Sequence, residues 1–215
     1  MTQLDFRLNR VFSNPLARLL LKTPLTPNQV TCLSLLAGIT SGCLFSYGDY
    51  LHSVAAAAFY VLAALLDNCD GEIARTKGLM SVFGGWFDIG ADLIADTAIF
   101  TGIALSMLGN GDDKNILIFL ALCISGSALH CAVVVIEKLR GFGPAVHGSP
   151  NAGRPASMAL FKLFDALREG DSCWIVLIFA FIGMAHTLLW FGGVYMQILW
   201  ITALALNLRV HFTRR

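Results

Sequence analysis

Six carboxylates, Asp67, Asp70, Glu72, Asp88, Asp92 and Asp96, crowd into one short stretch of an otherwise apolar chain. Asp67 and Asp70 are three residues apart and Asp88 and Asp92 are four apart, so on helices each pair shares one face. If the two faces meet, four carboxylates converge on one small volume, and their mutual repulsion demands cations. Oxygen donors of this hardness select Mg²⁺ or Mn²⁺. A charge near the centre of a bilayer costs about 2.5–3.5 kcal/mol on insertion scales, so the cluster needs that compensation all the more.

The residues between the acids extend the chemistry. Gly71 removes the side chain where a phosphate or another backbone can approach. Arg75, one turn on, offers a fork of donors suited to phosphate oxygens. Gly84, Gly85 and Gly90 permit close helix contact in a membrane, which would bring the acidic faces together, and Gly85 and Gly90 are read as packing positions only.

Elements able to position these groups follow from composition. Hydrophobic residues make up 56% of the 215 and charged residues only 13%, about half the share usual in soluble domains. The solvent is lipid. Crossing about 30 Å of hydrocarbon takes roughly 20 apolar residues of helix, and the chain has room for six such spans: Val30–Tyr47, His52–Ala74, Phe83–Leu108, Asn115–Glu137, Ser172–Trp190 and Gly193–Arg209. Hydrocarbon offers backbone polar groups no partners, so the spans must be helices. The expected fold is therefore all-α, a polytopic bundle of six transmembrane helices, with a Phe191-Gly192-Gly193 turn joining the last two.

Ahead of the spans, Leu4, Phe6, Leu8, Val11, Phe12, Leu16, Leu19 and Leu20 alternate with arginines at helical spacing, which predicts an amphipathic juxtamembrane helix on the inner leaflet. Residues 1–25 form this membrane-surface segment and residues 26–215 the catalytic domain. No cleavable signal is expected, because the first apolar run starts late and lacks a small-residue cleavage site. Fourteen of the fifteen lysines and arginines fall on one side of the six-span map and only Lys114 on the other, which puts both termini and the acidic cluster on the cytoplasmic side. The six cysteines show no paired CxxC spacing and read as small apolar residues, and His130 and His186 as packed or hydrogen-bonded residues.

The run Asp67-Asn68-Cys69-Asp70-Gly71-Glu72-Ile73-Ala74-Arg75, followed by eight residues, Gly84, three residues, Asp88, three residues and Asp92, resembles the complete signature of the CDP-alcohol phosphotransferase family. The resemblance implies two divalent ions held by Asp67, Asp70, Asp88 and Asp92, with Asp92 also the catalytic base. It implies a homodimer in the bilayer, a CDP-alcohol donor such as CDP-diacylglycerol, a hydroxyl acceptor and release of CMP, with no role for nucleic acid. Asp96 has no counterpart in the signature and no assigned catalytic role; it could bind a basic residue, hydrate, or tune Asp92.

The segment Thr26-Pro27-Asn28-Gln29-Val30-Thr31 is similar to the family's approach to its first span. Capping chemistry alone accounts for Thr26, Pro27 and Gln29. The resemblance adds that Asn28, Gln29, Val30 and Thr31 line the nucleotide pocket, where the positive helix end favours phosphates. Ser81 resembles a donor contact found in part of the family, although a lone serine has equally ordinary readings.

Two classes of function compete for buried acids. A divalent-cation transporter is the alternative, since intramembrane carboxylates also mark ion pathways. Against it, the acids gather at one membrane side, and transport calls for no phosphate grip between Gly71 and Arg75. The acceptor is not specified: Lys138, Arg140, Arg154, Lys162 and Arg168 could bind a phosphorylated polyol such as glycerol phosphate or inositol phosphate, or could lie against anionic lipid. Arg168-Glu169-Gly170-Asp171 mixes signs as a hydroxyl-rich ligand site would.

Overall fold

A computed structural model describes residues 8–108, 113–139 and 172–213. Seven α-helices account for almost all of them: α1 (Leu8–Leu21), α2 (Pro27–Phe45), α3 (Tyr50–Lys77), α4 (Val82–Met107), α5 (Asp113–Leu139), α6 (Ser172–Phe181) and α7 (Thr187–Thr213). Five of these, α2, α3, α4, α5 and α7, are long and apolar enough to cross a membrane. Arg7, Asp112, Arg140, Arg154, Lys162, Arg214 and Arg215 lie outside the described residues, as does the Arg168–Asp171 stretch.

The last part of the six-span map needs correction. Helix α6 ends at Phe181, and the chain turns at Gly183, whose φ of +78° is a left-handed conformation that glycine adopts without penalty. The Gly183 N–H reaches the Ala180 carbonyl at 3.0 Å and the Met184 N–H the Phe179 carbonyl at 2.8 Å, the paired bonds of a Schellman stop. Phe191, Gly192 and Gly193, expected as the turn, lie inside α7 instead. Their glycines serve packing: a Cβ on Gly193 would stand 2.9 Å from Phe119, and one on Gly192 would collide with the Phe100 ring. In an apolar helix, glycine more often admits a neighbour than reverses the chain.

Around α2 the helices pack through small residues. A Cβ on Gly38 would stand 2.6 Å from that of Ala95, and the Gly42 backbone fills the place where a Gly102 side chain would go. The α2–α4 seam thus runs through Gly38, Gly42, Ala95, Ala98 and Gly102, whereas the expected packing role of Gly90 does not hold among the described residues: a Cβ there would meet none of them within 4 Å. Serine hydroxyls stitch α2 to α3, from Ser34 to the Ala63 carbonyl at 2.9 Å and from Ser41 to that of Ala56 at 2.8 Å. One apolar cluster gathers Phe45, Ile99, Ile103, Ile116 and Leu189 in the bundle.

Helix α1 lies against α3. Ala17 packs with Val30, Leu66, Cys69 and Ile73 in a second apolar cluster, while Val11, Phe12, Leu19, Arg10 and Arg18 remain exposed. Trp174 at the start of α6 donates its indole N–H to the Asn9 side chain at 2.9 Å, which fastens α1 at that point. The α1–α2 connection is fastened as well, since Lys77 Nζ donates to the carbonyls of Thr23 and Leu25, each at 2.8 Å.

Candidate active site

The two acidic helices both pack against α2, and the connection between them is short. Gly78, at φ +66°, closes α3 directly after Lys77, with the Leu79 N–H on the Ala74 carbonyl at 2.9 Å. Ser81 then caps α4, its hydroxyl accepting the Gly84 N–H at 2.9 Å. The chain reverses within a few residues, and the Asp67–Asp70 face of α3 comes opposite Asp88 on α4. Donor oxygens of Asp67, Asp70 and Asp88 lie within 4.8 Å of one another.

Asp92, one turn along α4 on the face of Asp88, is exposed and close enough to Asp67 for the two carboxylates to interact. Three of the four expected carboxylates therefore form a tight group, with the fourth beside it and open to approach. Like charges near 4 Å repel by about 4 kcal/mol at an effective dielectric of 20. The all-oxygen donor set fits a hard divalent cation such as Mg²⁺ or Mn²⁺, which removes that repulsion.

Around the carboxylates, the expected donor-binding residues fall into two groups. Arg75 is exposed, and its guanidinium lies back over Gly71, with Nη1 3.4 Å from where a Cβ on that glycine would be. Asn28, in the first turn of α2, reaches the start of α4: its Oδ1 is 3.0 Å from the position of a Gly84 Cβ, the same distance as Ser81 Oγ. Gly71, Arg75, Asn28 and Ser81 thus border the same end of the bundle as the acids.

The other three residues are engaged within the protein. Gln29 closes the capping box, its side-chain oxygen accepting the Thr26 N–H at 2.9 Å while the Gln29 N–H reaches Thr26 Oγ1 at 3.4 Å. Val30 is fully buried in the cluster with Ala17 and Ile73. Thr31 is buried too, and its hydroxyl lies 2.5 Å from Asp70 Oδ2. That bond joins residues 39 positions apart, and no local pattern signals it. Asp96, further along α4, accepts the Ser127 hydroxyl at 2.6 Å and borders an apolar cavity of about 390 Å³ with Tyr60, Phe100 and Tyr195.

Known proteins resemble this chain in sequence and in fold. The chain is 32% identical over 134 residues to the phosphatidylinositol phosphate synthase of Corynebacterium glutamicum, covering 62% of this chain and 60% of that protein. It is 31% identical over 148 residues to the archaetidylinositol phosphate synthase of Pyrococcus horikoshii, covering 68% and 73%. The fold resembles that of the Mycobacterium tuberculosis phosphatidylinositol phosphate synthase with CDP-DAG bound, at 24% identity and a TM-score of 0.57 over 91% of this chain and 92% of that one. The crystal structure of the same enzyme with manganese and citrate gives a TM-score of 0.56 at 24% identity, covering 89% and 88%. The sequence profile of CDP-alcohol phosphatidyltransferases matches residues 24–208, a stretch that takes in the paired aspartates, the arginine beside them, α2 to α5 and most of α7, and the chain belongs to that family.

Proposed function

We propose that this protein is a metal-dependent membrane enzyme that transfers a phospho-alcohol group from a CDP-alcohol to an acceptor hydroxyl and releases CMP. The observation that carries the reading is the group of donor oxygens from Asp67, Asp70 and Asp88, within 4.8 Å of one another, beside Gly71 and Arg75. Asp67, Asp70, Asp88 and Asp92 would hold two Mg²⁺ or Mn²⁺ ions, which supply charge neutralisation for the transferring phosphoryl group and the departing phosphate.

The chain's own residues do the rest. Arg75 offers its fork of donors to the donor's pyrophosphate, and Gly71 leaves room for close approach. Asn28 and Ser81 border the nucleotide, while Gln29, Val30 and Thr31 fix the helix end that faces it. Asp92, the exposed carboxylate, accepts the hydroxyl proton as the acceptor oxygen bonds to the phosphorus that carries the alcohol. The anhydride bond to CMP breaks in the same displacement.

CDP-diacylglycerol is the proposed donor, supported by the CDP-DAG named with the M. tuberculosis enzyme of like fold. A phosphorylated inositol is the proposed acceptor, supported by two relatives named as inositol phosphate synthases, with glycerol phosphate as the competing polyol. The reading carries with it a homodimer and a cytoplasmic active site, with residues 1–25 at the membrane surface. No observation favours the transporter.

The test is CMP release by the purified protein from CDP-diacylglycerol against a panel of acceptors, with Asp92→Asn in parallel. Turnover of Asp92→Asn at saturating metal and donor should fall by about 10²–10⁴, the usual worth of a general base, while donor binding persists. An amide still offers an oxygen but cannot take the proton. Near-normal turnover would shift the proton to water or to the acceptor's own phosphate.

A further inference from the structure

We infer that Thr31 is a positioning residue for Asp70, setting the orientation in which that carboxylate meets a divalent cation. The inference rests on the metal-site reading above and assigns to Thr31 a role different from contact with the nucleotide.

Thr31 and Asp70 are only 4% and 7% exposed, so water does not compete for the bond between them. The hydroxyl has two acceptors in reach, Asp70 Oδ2 at 2.5 Å and the Pro27 carbonyl at 3.2 Å, but only one hydrogen to give. A threonine in a helix commonly satisfies itself on the carbonyl four residues back. Thr31 therefore has no need of Asp70 for its own sake. A carboxylate is a stronger acceptor than a neutral carbonyl that already serves the helix, so the hydrogen goes to Asp70.

The consequence falls on Asp70. Rotation about its terminal torsion is broad and roughly two-fold, and a bond to Oδ2 removes that freedom. The other oxygen is then the one left to a cation shared with Asp67 and Asp88.

The hydroxyl itself is held firmly. A threonine on a helix is confined to two χ1 rotamers, and the one adopted here keeps the hydroxyl within reach of both Asp70 and the Pro27 carbonyl. The helix start is fixed by the Thr26–Gln29 capping box and by the buried Val30. The connection before it is tied to the end of α3 through Lys77. Two carbonyl anchors on Lys77 and one hydroxyl on Asp70 thus clamp α2 to the acidic stretch of α3.

The test is Mn²⁺ binding by the full chain in lipid nanodiscs, read from the electron paramagnetic resonance signal of free Mn²⁺ without substrate. Thr31→Val keeps the shape and removes the hydroxyl, and Thr31→Ser keeps the hydroxyl. Asp70→Asn reports whether the signal comes from this site, and thermal unfolding in EDTA reports packing.

Loss of a partner that orients a metal ligand typically costs 10–100-fold in affinity, so Thr31→Val should bind Mn²⁺ about 10–100-fold more weakly. Thr31→Ser should stay near wild type. If Thr31→Val does not fold, Thr31→Ala carries the same comparison. Wild-type affinity in the folded hydroxyl-free variant, with binding lost in Asp70→Asn, overturns the positioning role and leaves the metal site standing. Equal weakening in Thr31→Ser and Thr31→Val also overturns it, because packing rather than the hydroxyl would then matter. No Mn²⁺ binding by the wild-type protein overturns both readings.

Discussion

Asn28 Oδ1 on α2 occupies the space that a side chain on Gly84 of α4 would take, 3.0 Å from the position of its Cβ. Ser81 Oγ stands equally near, so the starts of two helices and the turn before one of them converge on a single missing methyl group. Room at residue 84 is what allows the first turn of α2 to border the acidic site.

Gly84→Ala should therefore push Asn28 and the Ser81 cap outward. Misplacing a binding group by 1 Å can cost about 10²-fold. Here the neighbours need only give by a few tenths of an ångström, so the expected effect is a rise in donor KM of roughly tenfold, with CMP release near normal at saturating donor. Gly90→Ala is the contrast. No described residue lies within 4 Å of where its Cβ would be, and Mn²⁺ binding and folding should be unchanged. Steady-state kinetics of the first variant and Mn²⁺ titration of the second check the pair, and equal effects would contradict the geometry.

Lys77 is the second lever. Its ammonium donates to two carbonyls of the α1–α2 connection, and hydrogen bonds to charged groups contribute about 1.5–3 kcal/mol each. Lys77→Met keeps much of the stem and loses both bonds. Stability should fall by about 3 kcal/mol, the low end for two such bonds because Lys77 is only half-buried. Hydrogen exchange should rise first between Thr23 and Thr31. A uniform increase across the bundle would contradict a local clamp.

How far the sequence could be read depended on whether a feature was local. The capping box at Thr26 and Gln29, the paired faces at Asp67–Asp70 and Asp88–Asp92, and the membrane-length helices are all set by spacing within one element, and all were legible. The Thr31–Asp70 bond was not, because it depends on how α2 crosses α3. Glycine was the most ambiguous residue. Gly192 and Gly193 looked like a turn and proved to be packing positions, Gly90 looked like packing and has no neighbour among the described residues, and Gly183 makes the turn. The Gly42–Gly102 contact, which lets α2 and α4 meet backbone to backbone, carries no spacing signal that joins its two halves. Lys77 was legible only as a charge favouring one membrane side, whereas its carbonyl partners appear once α1 folds back on α3.

The most direct measurement is CMP release by the purified wild-type protein, supplied with CDP-diacylglycerol and a phosphorylated inositol, before and after chelation. Close packing of the Asp67, Asp70 and Asp88 oxygens disfavours ionising all three without a cation, and the proposed reaction needs cations to neutralise the pyrophosphate. Excess EDTA should abolish CMP release, and Mg²⁺ or Mn²⁺ added beyond the chelator should restore it. Undiminished release in EDTA would contradict the metal-dependent mechanism.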